Sequence, residues 1–361
     1  MSAQSPQSQS GSGGIPPSVL EQLKKQGPPY PPQGAGLGGR PTVSVDVPIS
    51  AVLAAIFIGS AVLNMVIFQR NRRRGHKFVL SALLFGFSMA RIVANVMRIV
   101  WAAKPKDAQI AIAAGVFTNA GVIILFIINL ILVQRVLRAY HPTFGWGRPA
   151  TMFFRFLYFS IGAALVMVIV AVVYSFYTLD MAAKQKIRDV QLFAVVYLAV
   201  LAFIPIPIAI LALVWPKSEP ADPFGRGASL GRKAGMIIFT ATLLTLGAAF
   251  RAGTAFYVRP ASNPAWFHSK ACFYCFIYLV EIISAFTYAL GRFDRLFHIP
   301  DGSSAPGDYS RKAAEKGAAR GQSDEEAIGD ERPPTAAEER NREEKWEKQL
   351  QVELDNRQST S

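Results

Sequence analysis

The sequence predicts an all-α membrane protein, folded as a seven-transmembrane helix bundle. Three observations predict this fold class: 51% of the 361 residues are hydrophobic, the mean hydropathy is +0.27, and seven apolar stretches of bilayer length lie between residues 47 and 291. Backbone polar groups in hydrocarbon must be satisfied within their own segment, so each stretch is expected to be a helix. The predicted spans are Val47–Gln69, Phe78–Trp101, Ala108–Val133, Phe153–Thr178, Val190–Val214, Ala234–Val258 and Ala271–Leu290.

Two tails flank the predicted membrane domain of residues 47–291. Residues 1–46 are rich in Pro, Gly, Ser and Gln and are predicted to form a disordered outer arm, because such a composition cannot bury a core. Residues 292–361 are predicted to form a charged, mostly disordered cytoplasmic tail. Within it, a capping-box pattern and apolar residues at helical spacing predict one short helix at 335–355.

The orientation follows from the Lys and Arg residues that flank the spans. Fifteen lie in the loops after spans one, three and five and after span seven, whereas eight lie on the other side. The positive-inside rule then predicts an outer N-terminus and a cytoplasmic C-terminus. The fifteen are Arg70, Arg72, Arg73, Arg74, Lys77, Arg135, Arg138, Arg148, Arg155, Lys217, Arg226, Arg232, Lys233, Arg292 and Arg295.

The high pI of about 9.9 does not indicate a nucleic-acid partner. Residues 1–300 carry a net charge of +19 and residues 301–361 a net charge of −5, and the basic excess lies at span ends, where it contacts headgroups. Cys272 and Cys275 are three residues apart on one predicted helix, without a nearby His or second pair, so neither a metal site nor a disulfide is predicted. No cofactor is predicted.

Charged residues inside spans are the candidate site residues, since they are costly in hydrocarbon. Arg91, Asn95 and Arg98 share one face of span two, which must then look into the bundle. Arg91 lies about 15 Å from the outer end of its span, and Glu281 in span seven lies at about the same depth. Arg251 in span six lies about 10 Å below the outer surface.

Two interpretations of these charges remain open. In the first, Glu281 pairs with Arg91 or Arg251 as a structural clamp between helices, and Arg98 extends outward to the headgroups. In the second, three arginines and one carboxylate form a net positive cavity that receives an anionic or polar headgroup, with Asn119 of span three adding hydrogen-bonding capacity.

Span five contains the candidate hinge, Pro205 and Pro207, because proline removes helical hydrogen bonds. Motifs for hydrolase, metalloprotease or nucleotide chemistry are missing from the sequence, so an enzyme is not predicted. The sequence also lacks an interior lysine in span seven and the acidic-Arg-Tyr and Asn-Pro-x-x-Tyr motifs of rhodopsin-like receptors.

Three motifs carry a resemblance: Asn71–Lys77 (NRRRGHK), Phe87–Arg91 (FSMAR) and Leu137–Pro142 (LRAYHP), the last followed by Gly145 and Trp146. Together with span one they resemble an uncharacterised family of fungal seven-span integral membrane proteins, a domain of unknown function. The resemblance covers about residues 45–300 and implies a fungal source and seven spans. In layout the chain is also distantly similar to lipid-translocating-exporter-like and fungal receptor-like proteins, from which no site residue carries over.

The leading functional hypothesis is a receptor-like or sensor protein. It would bind a small or lipidic ligand among spans two, three, six and seven and relay a shift of helices to the basic inner loops. The alternatives are a lipid or small-solute transporter that uses the same cavity as a passage, and a structural membrane protein with no ligand. The predicted partners are membrane lipids and a cytoplasmic protein at the inner loops or the tail, in the plasma membrane or an endomembrane.

Overall fold

The computed structural model describes residues 17–30, 34–76, 78–216, 220–225 and 229–315, with Arg340, Trp346 and Lys348 beyond them. Apart from one isolated bridge, the regular structure in these residues is helical, and seven helices are long and apolar enough to cross a membrane, which confirms the predicted fold class. The spans are Val43–Arg73, Val79–Ala103, Ala108–Tyr140, Arg148–Ser175, Met181–Val214, Leu230–Phe256 and Lys270–Leu290.

Orientation in the membrane stays a prediction, and the two ends of the bundle are named after it. The outer end holds Val43, Lys104 and Lys270, and the inner end holds Arg73 and Gly291. Short helices also cover Pro17–Gln26, Pro142–Gly145, Trp266–His268 and Phe293–Leu296.

Three spans are irregular. Span three consists of Ala108–Ala120 and Val122–Tyr140, which meet at Gly121, and span seven contains a π-helical turn over Tyr274–Leu279. Span five is interrupted at Ile204, directly before Pro205, where a second helix of ten residues begins. The missing amide hydrogen of proline explains the interruption of span five at the predicted hinge.

Span three forms the centre of the bundle. Its side chains Leu125, Ile128 and Val133 are fully buried. Span four, by contrast, exposes large apolar side chains such as Phe156 and Phe159, as expected for a face in contact with lipid. Residues on span three therefore reach neighbours on several other spans, and this position sets the geometry of the candidate site.

Spans six and seven pack closely at Gly247. A Cβ atom there would lie 2.6 Å from the carbonyl oxygen of Phe276, a backbone atom that cannot turn aside. The close approach also lets the rings of Phe250 and Phe276 stack, with centroids 4.2 Å apart. The absence of a side chain at Gly247 thus permits the contact between these two spans.

The Gly247→Ala substitution is expected to destabilise the fold by about 1–3 kcal/mol, because the added methyl group must push the spans apart. The matched control is Gly253→Ala on the same helix, where an added Cβ meets nothing within 4 Å. Since alanine favours helix by about 1 kcal/mol over glycine, the control is expected to be neutral or stabilising. Thermal unfolding in detergent micelles measures both, and equal midpoints for the two variants would contradict the predicted close packing.

The outer arm is more ordered than the sequence predicts. It contains the helix Pro17–Gln26, and two backbone amides of the arm bond to the outer loops: Tyr30 donates to the Phe176 carbonyl at 2.7 Å and Ala35 to the Arg259 carbonyl at 2.9 Å. These hydrogen bonds satisfy main-chain groups that would otherwise face water, which composition alone does not reveal.

The compact helical unit extends past residue 292, the predicted start of the tail, as far as Ser310. The Asp222 carboxylate, in the loop between spans five and six, accepts the amide hydrogens of Tyr309 at 3.1 Å and Ser310 at 2.9 Å. The Tyr309 ring is buried, with its centroid 5.7 Å from that of Phe224. Aromatic packing and capped amides therefore hold residues 293–310 against the inner end.

A second polar contact holds the same segment. The Asp294 carboxylate accepts hydrogen bonds from Asn71 at the end of span one at 2.9 Å and from Arg292 at 3.0 Å, while Arg135 donates to the carbonyl of Phe297 at 2.7 Å. Burial alone would raise the pKa of the Asp294 carboxyl, but the hydrogen bonds from Arg292 and Asn71 outweigh burial and hold its pKa below the ordinary value. The carboxylate is consequently ionised at neutral pH.

Several sequence predictions lie outside the described residues. These are residues 1–16 and 31–33 of the arm, the basic loop residues Lys77, Lys217 and Arg226, and the helix at 335–355 apart from its three described positions. Beyond Ser310 the chain forms a separate unit, in which Arg311 and Glu315 lie 3.9 Å apart as an exposed ion pair.

Candidate functional site

The candidate site begins with an ion pair at the middle of the bundle. Arg91 of span two contacts both carboxylate oxygens of Glu281 of span seven: Nη2 lies 2.6 Å from Oε1 and Nε lies 2.5 Å from Oε2. Both side chains are buried. The pairing of these two residues, predicted from their equal depth, is therefore present, with one hydrogen bond from Nη2 to Oε1 and a close ion-pair contact between Nε and Oε2.

Arg251 of span six joins the pair at a greater distance. Its Nη2 lies 3.4 Å from Oε1 of Glu281, and its Nη1 donates to Oδ1 of Asn119 at 3.1 Å. Two guanidinium groups thus share one carboxylate, which leaves one positive charge in excess. We call Arg91, Asn119, Arg251 and Glu281 the midplane cluster.

The interruption of span three provides the remaining acceptors. The Thr118 carbonyl lies in the last turn before Gly121, where carbonyl groups lack helical partners, and it accepts from Arg91 Nη1 at 2.8 Å and from Arg251 Nη1 at 3.4 Å. A Cβ atom at Gly121 would lie 3.2 Å from Cζ of Arg91. The glycine therefore gives the guanidinium room to reach this helix end.

Span seven is also irregular next to the cluster. Its π-helical turn, Tyr274–Leu279, ends two residues before Glu281. A π-helical turn shifts the residues that follow it around the helix axis, and such turns occur frequently at functional sites. The turn thus contributes to the direction in which Glu281 points.

A cavity of about 50 Å³ lies beside the midplane cluster. Its walls come from spans three to seven, and its polar lining groups are Asn119, Arg251 and Glu281. The remaining walls are apolar and include Ile123, Phe126, Val168, Leu198, Leu244 and Phe276. The cavity is therefore small and mostly apolar, and its charged groups are those of the midplane cluster.

Span two does not line this cavity, in contrast to the prediction of a site among spans two, three, six and seven. Arg91 does not line the cavity; it donates hydrogen bonds to Glu281, which does, and to the Thr118 carbonyl. Asn95 donates to the backbone carbonyl of Arg91 at 2.8 Å, one turn away on its own helix. Spans four and five take the place of span two among the walls of the cavity.

Arg98 belongs to a separate cluster nearer the outer end. The predicted extension of its side chain to the headgroups is wrong: Arg98 Nη2 lies 2.7 Å from Oδ1 of Asp46 in span one, and Nε lies 3.0 Å from the same oxygen. The side chain is buried, with its guanidinium 4.2 Å from the ring centroid of Phe273. A carboxylate within reach holds Arg98 inside the bundle.

Three further groups complete this outer cluster around Asp46. The Tyr274 hydroxyl donates to Oδ1 of Asp46 at 2.8 Å, the Thr42 amide donates to Oδ2 at 2.8 Å, and Lys270 forms an ion pair with Oδ2. Arg98 also donates to the carbonyl of Gly38 at 3.1 Å, which ties the outer arm to span two.

Sequence reasoning missed Asp46 because the predicted first span began at residue 47, whereas the helix begins at Val43. The missed signal was depth: an acidic residue in the first turn of span one lies near the level of Arg98, which is about one turn from the outer end of span two. The similar depth of Asp46 and Arg98 is therefore the sequence signal that predicts their pairing.

The two candidate hinge prolines lie on span five, away from both charged clusters; neither lines the cavity. In the described part of the chain, no group of three His, Cys, Asp or Glu side chains is placed to hold a metal ion.

Two family models match the chain. Residues 48–227 match a domain of unknown function (DUF7702), and residues 229–298 match a protein of unknown function (DUF3112). No curated protein matches the chain. The matches agree with the predicted uncharacterised family and divide the midplane cluster between them, with Arg91 and Asn119 in the first and Arg251 and Glu281 in the second. The fungal source and the likeness to exporter-like or receptor-like proteins stay predictions.

Proposed function

We propose that this multi-pass membrane protein is a non-catalytic, receptor-like sensor that binds a small or lipidic ligand in the cavity between spans three and seven. The observation that carries the proposal is the cavity itself, in which Arg251, Asn119 and Glu281 face an otherwise apolar space at the middle of the bundle. Ligand pockets commonly combine apolar walls with a few convergent polar groups. Ionisable residues inside a membrane usually mark such sites.

The proposed mechanism is a ligand-dependent choice between two helix arrangements. The cavity walls include Val168 of span four and Leu198 of span five, which precedes the interruption at Ile204 by six residues. A ligand that wedges these walls apart would favour the arrangement with the wider cavity. The interrupted helix would transmit the shift to the inner end, where a cytoplasmic protein would contact the basic loops.

The proposal is tested with nitroxide labels on Val214 and Arg232, two exposed positions at the inner ends of spans five and six. In lipid nanodiscs, total lipid extract of the native membrane is expected to change the distribution of distances between the labels. Val168→Phe fills the cavity and should abolish the change, whereas the matched control Val166→Phe, on the exposed face of span four, should preserve it.

An unchanged distance distribution in the unsubstituted protein would contradict the sensor function. Transport is the second candidate function of the same cavity. It predicts that the protein in reconstituted vesicles moves labelled lipid between leaflets, and that Val168→Phe stops this movement. Flux in the absence of any cytoplasmic partner would favour the transporter over the sensor.

A further inference from the structure

The charge balance of the midplane cluster identifies the kind of headgroup that its cavity would bind. Arg91 lies 2.5 and 2.6 Å from the two oxygens of Glu281, whereas Arg251 lies 3.4 Å from one of them, so Arg251 is the guanidinium without a close carboxylate of its own. A surplus charge buried at this depth is unfavourable until an anion approaches it. One negative charge neutralises the cluster, whereas a phosphate monoester, a neutral headgroup or an amine leaves it charged.

The outer cluster provides a contrast within the same protein. There, Arg98 and Lys270 also share one carboxylate, that of Asp46, but the Lys270 side chain is 27% exposed. Solvent can therefore hydrate the second cation of the outer cluster. Arg251 is more enclosed, with a side chain 13% exposed, and it lines the cavity.

The donors of Arg251 suit a carboxylate. Nη1 and Nη2 are directed to Asn119, the Thr118 carbonyl and Glu281, and among the described residues no acceptor lies on Nε. The planar edge of a guanidinium presents two parallel N–H groups, which match the two oxygens of a carboxylate. A ligand carboxylate on the Nε edge would complete the hydrogen bonding of Arg251.

The shape of the cavity restricts the rest of the ligand. From Asn119 to Phe126 the wall runs along span three for about 10 Å, and Leu244 continues the apolar lining away from Arg251. The volume of about 50 Å³ holds only a few carbon atoms, so a chain enters only as the walls move apart, in the wider arrangement proposed above. The longer apolar stretch of span three runs inward from the polar groups to Phe126, whereas only Val116 continues the lining outward, so a chain would extend from the polar groups toward Phe126.

We propose that the ligand is a single-chain amphiphile with a carboxylate headgroup, bound by Arg251 with its chain along Ile123 and Phe126. This inference rests on the proposed function, since it names the ligand class of the same cavity. The headgroup provides the selectivity, because a hydrocarbon chain gains little on leaving bilayer hydrocarbon for an apolar cavity.

The test uses the full chain in phosphatidylcholine nanodiscs and decanoic acid that carries a diazirine at the chain end. After photolysis, mass spectrometry is expected to find the label near Ile123, Phe126 or Leu244. Unlabelled decanoate should compete at least about tenfold better than decanol, decylamine or decyl phosphate, as expected for one charge-assisted interaction.

Arg251→Gln is expected to remove this preference, and Arg251→Lys to retain part of it because the charge remains. The matched control is Arg155→Gln on the exposed surface of span four, which should leave the preference unchanged. If Arg251→Gln fails to fold, Arg251→Lys still tests the carboxylate preference. Because lysine lacks the planar fork, decanoate should compete less well in this variant, closer to decanol.

Two outcomes separate the failure of this inference from that of the proposed function. If decanol or decylamine competes as well as decanoate while Val168→Phe abolishes labelling, the carboxylate proposal is overturned and the ligand cavity stands. If labelling is the same in Val168→Phe, the cavity does not bind the amphiphile and both proposals fail.

Discussion

Glu281→Gln is expected to destabilise the protein by about 3–5 kcal/mol. The physical reason is that Arg91 and Arg251 would remain buried with no carboxylate, and the new amide would direct N–H groups at one of them. The midpoint of chemical unfolding in mixed micelles measures the loss. Asp189→Asn, which removes an exposed carboxylate from span five, is expected to change stability by less than about 0.5 kcal/mol.

A second variant separates charge from packing. Combining Arg91→Met with Glu281→Gln restores the single positive charge of the native cluster, so the double variant should recover much of the loss. Both the structural clamp and the ligand-binding cavity require that the stability effects of Arg91 and Glu281 depend on each other in this way. Equal stability of Glu281→Gln and the unsubstituted protein would show that the midplane charges are hydrated, and would contradict a charged group enclosed beside an apolar cavity.

Asp46→Asn is the second large expected effect, a loss of about 3 kcal/mol, at the lower end of what removing a buried partner costs. Asp46 accepts from Arg98, Tyr274 and the Thr42 amide and pairs with Lys270. Lys270 can turn toward solvent, so Arg98 is the cation that remains buried without a carboxylate. Thermal unfolding of the full chain measures the effect.

Lys270→Met is the matched control for the outer cluster. It removes a partly exposed cation from the same carboxylate and should cost less than about 1 kcal/mol. Asp46→Asn should also leave the preference for decanoate unchanged, because Asp46 does not line the cavity. A change of that preference in Asp46→Asn would mean that the two clusters are coupled, although each has its own carboxylate and its own arginine partner.

The seven spans were predictable because hydrocarbon permits few backbone structures, so apolar length is a nearly sufficient signal. The depth of Arg91 and Glu281 was predictable for a similar reason, since helical rise converts sequence position into height. The pairing of Arg98 was not predictable, because its partner Asp46 lies on another span and outside the predicted boundary of that span. Height places residues in layers and says nothing about which helices are neighbours.

The cavity depends on those neighbours. Its walls come from five spans, and the sequence indicated only some of them, since Val168 and Leu198 look like any other lipid-facing residues. Gly247 illustrates the same limit: it resembles Gly253 in sequence, but only Gly247 lies against the backbone of another helix.

Hydrophobic length and the spacing of charged residues thus established a seven-helix membrane protein with charged groups at one depth. Tertiary packing determined that Glu281 pairs with Arg91 and that Asp46 pairs with Arg98. It also placed Arg251, with its excess positive charge, in the wall of a cavity. The physical reason is that burial in hydrocarbon acts on each helix separately, whereas the pairing of charges depends on distances of a few ångströms between helices.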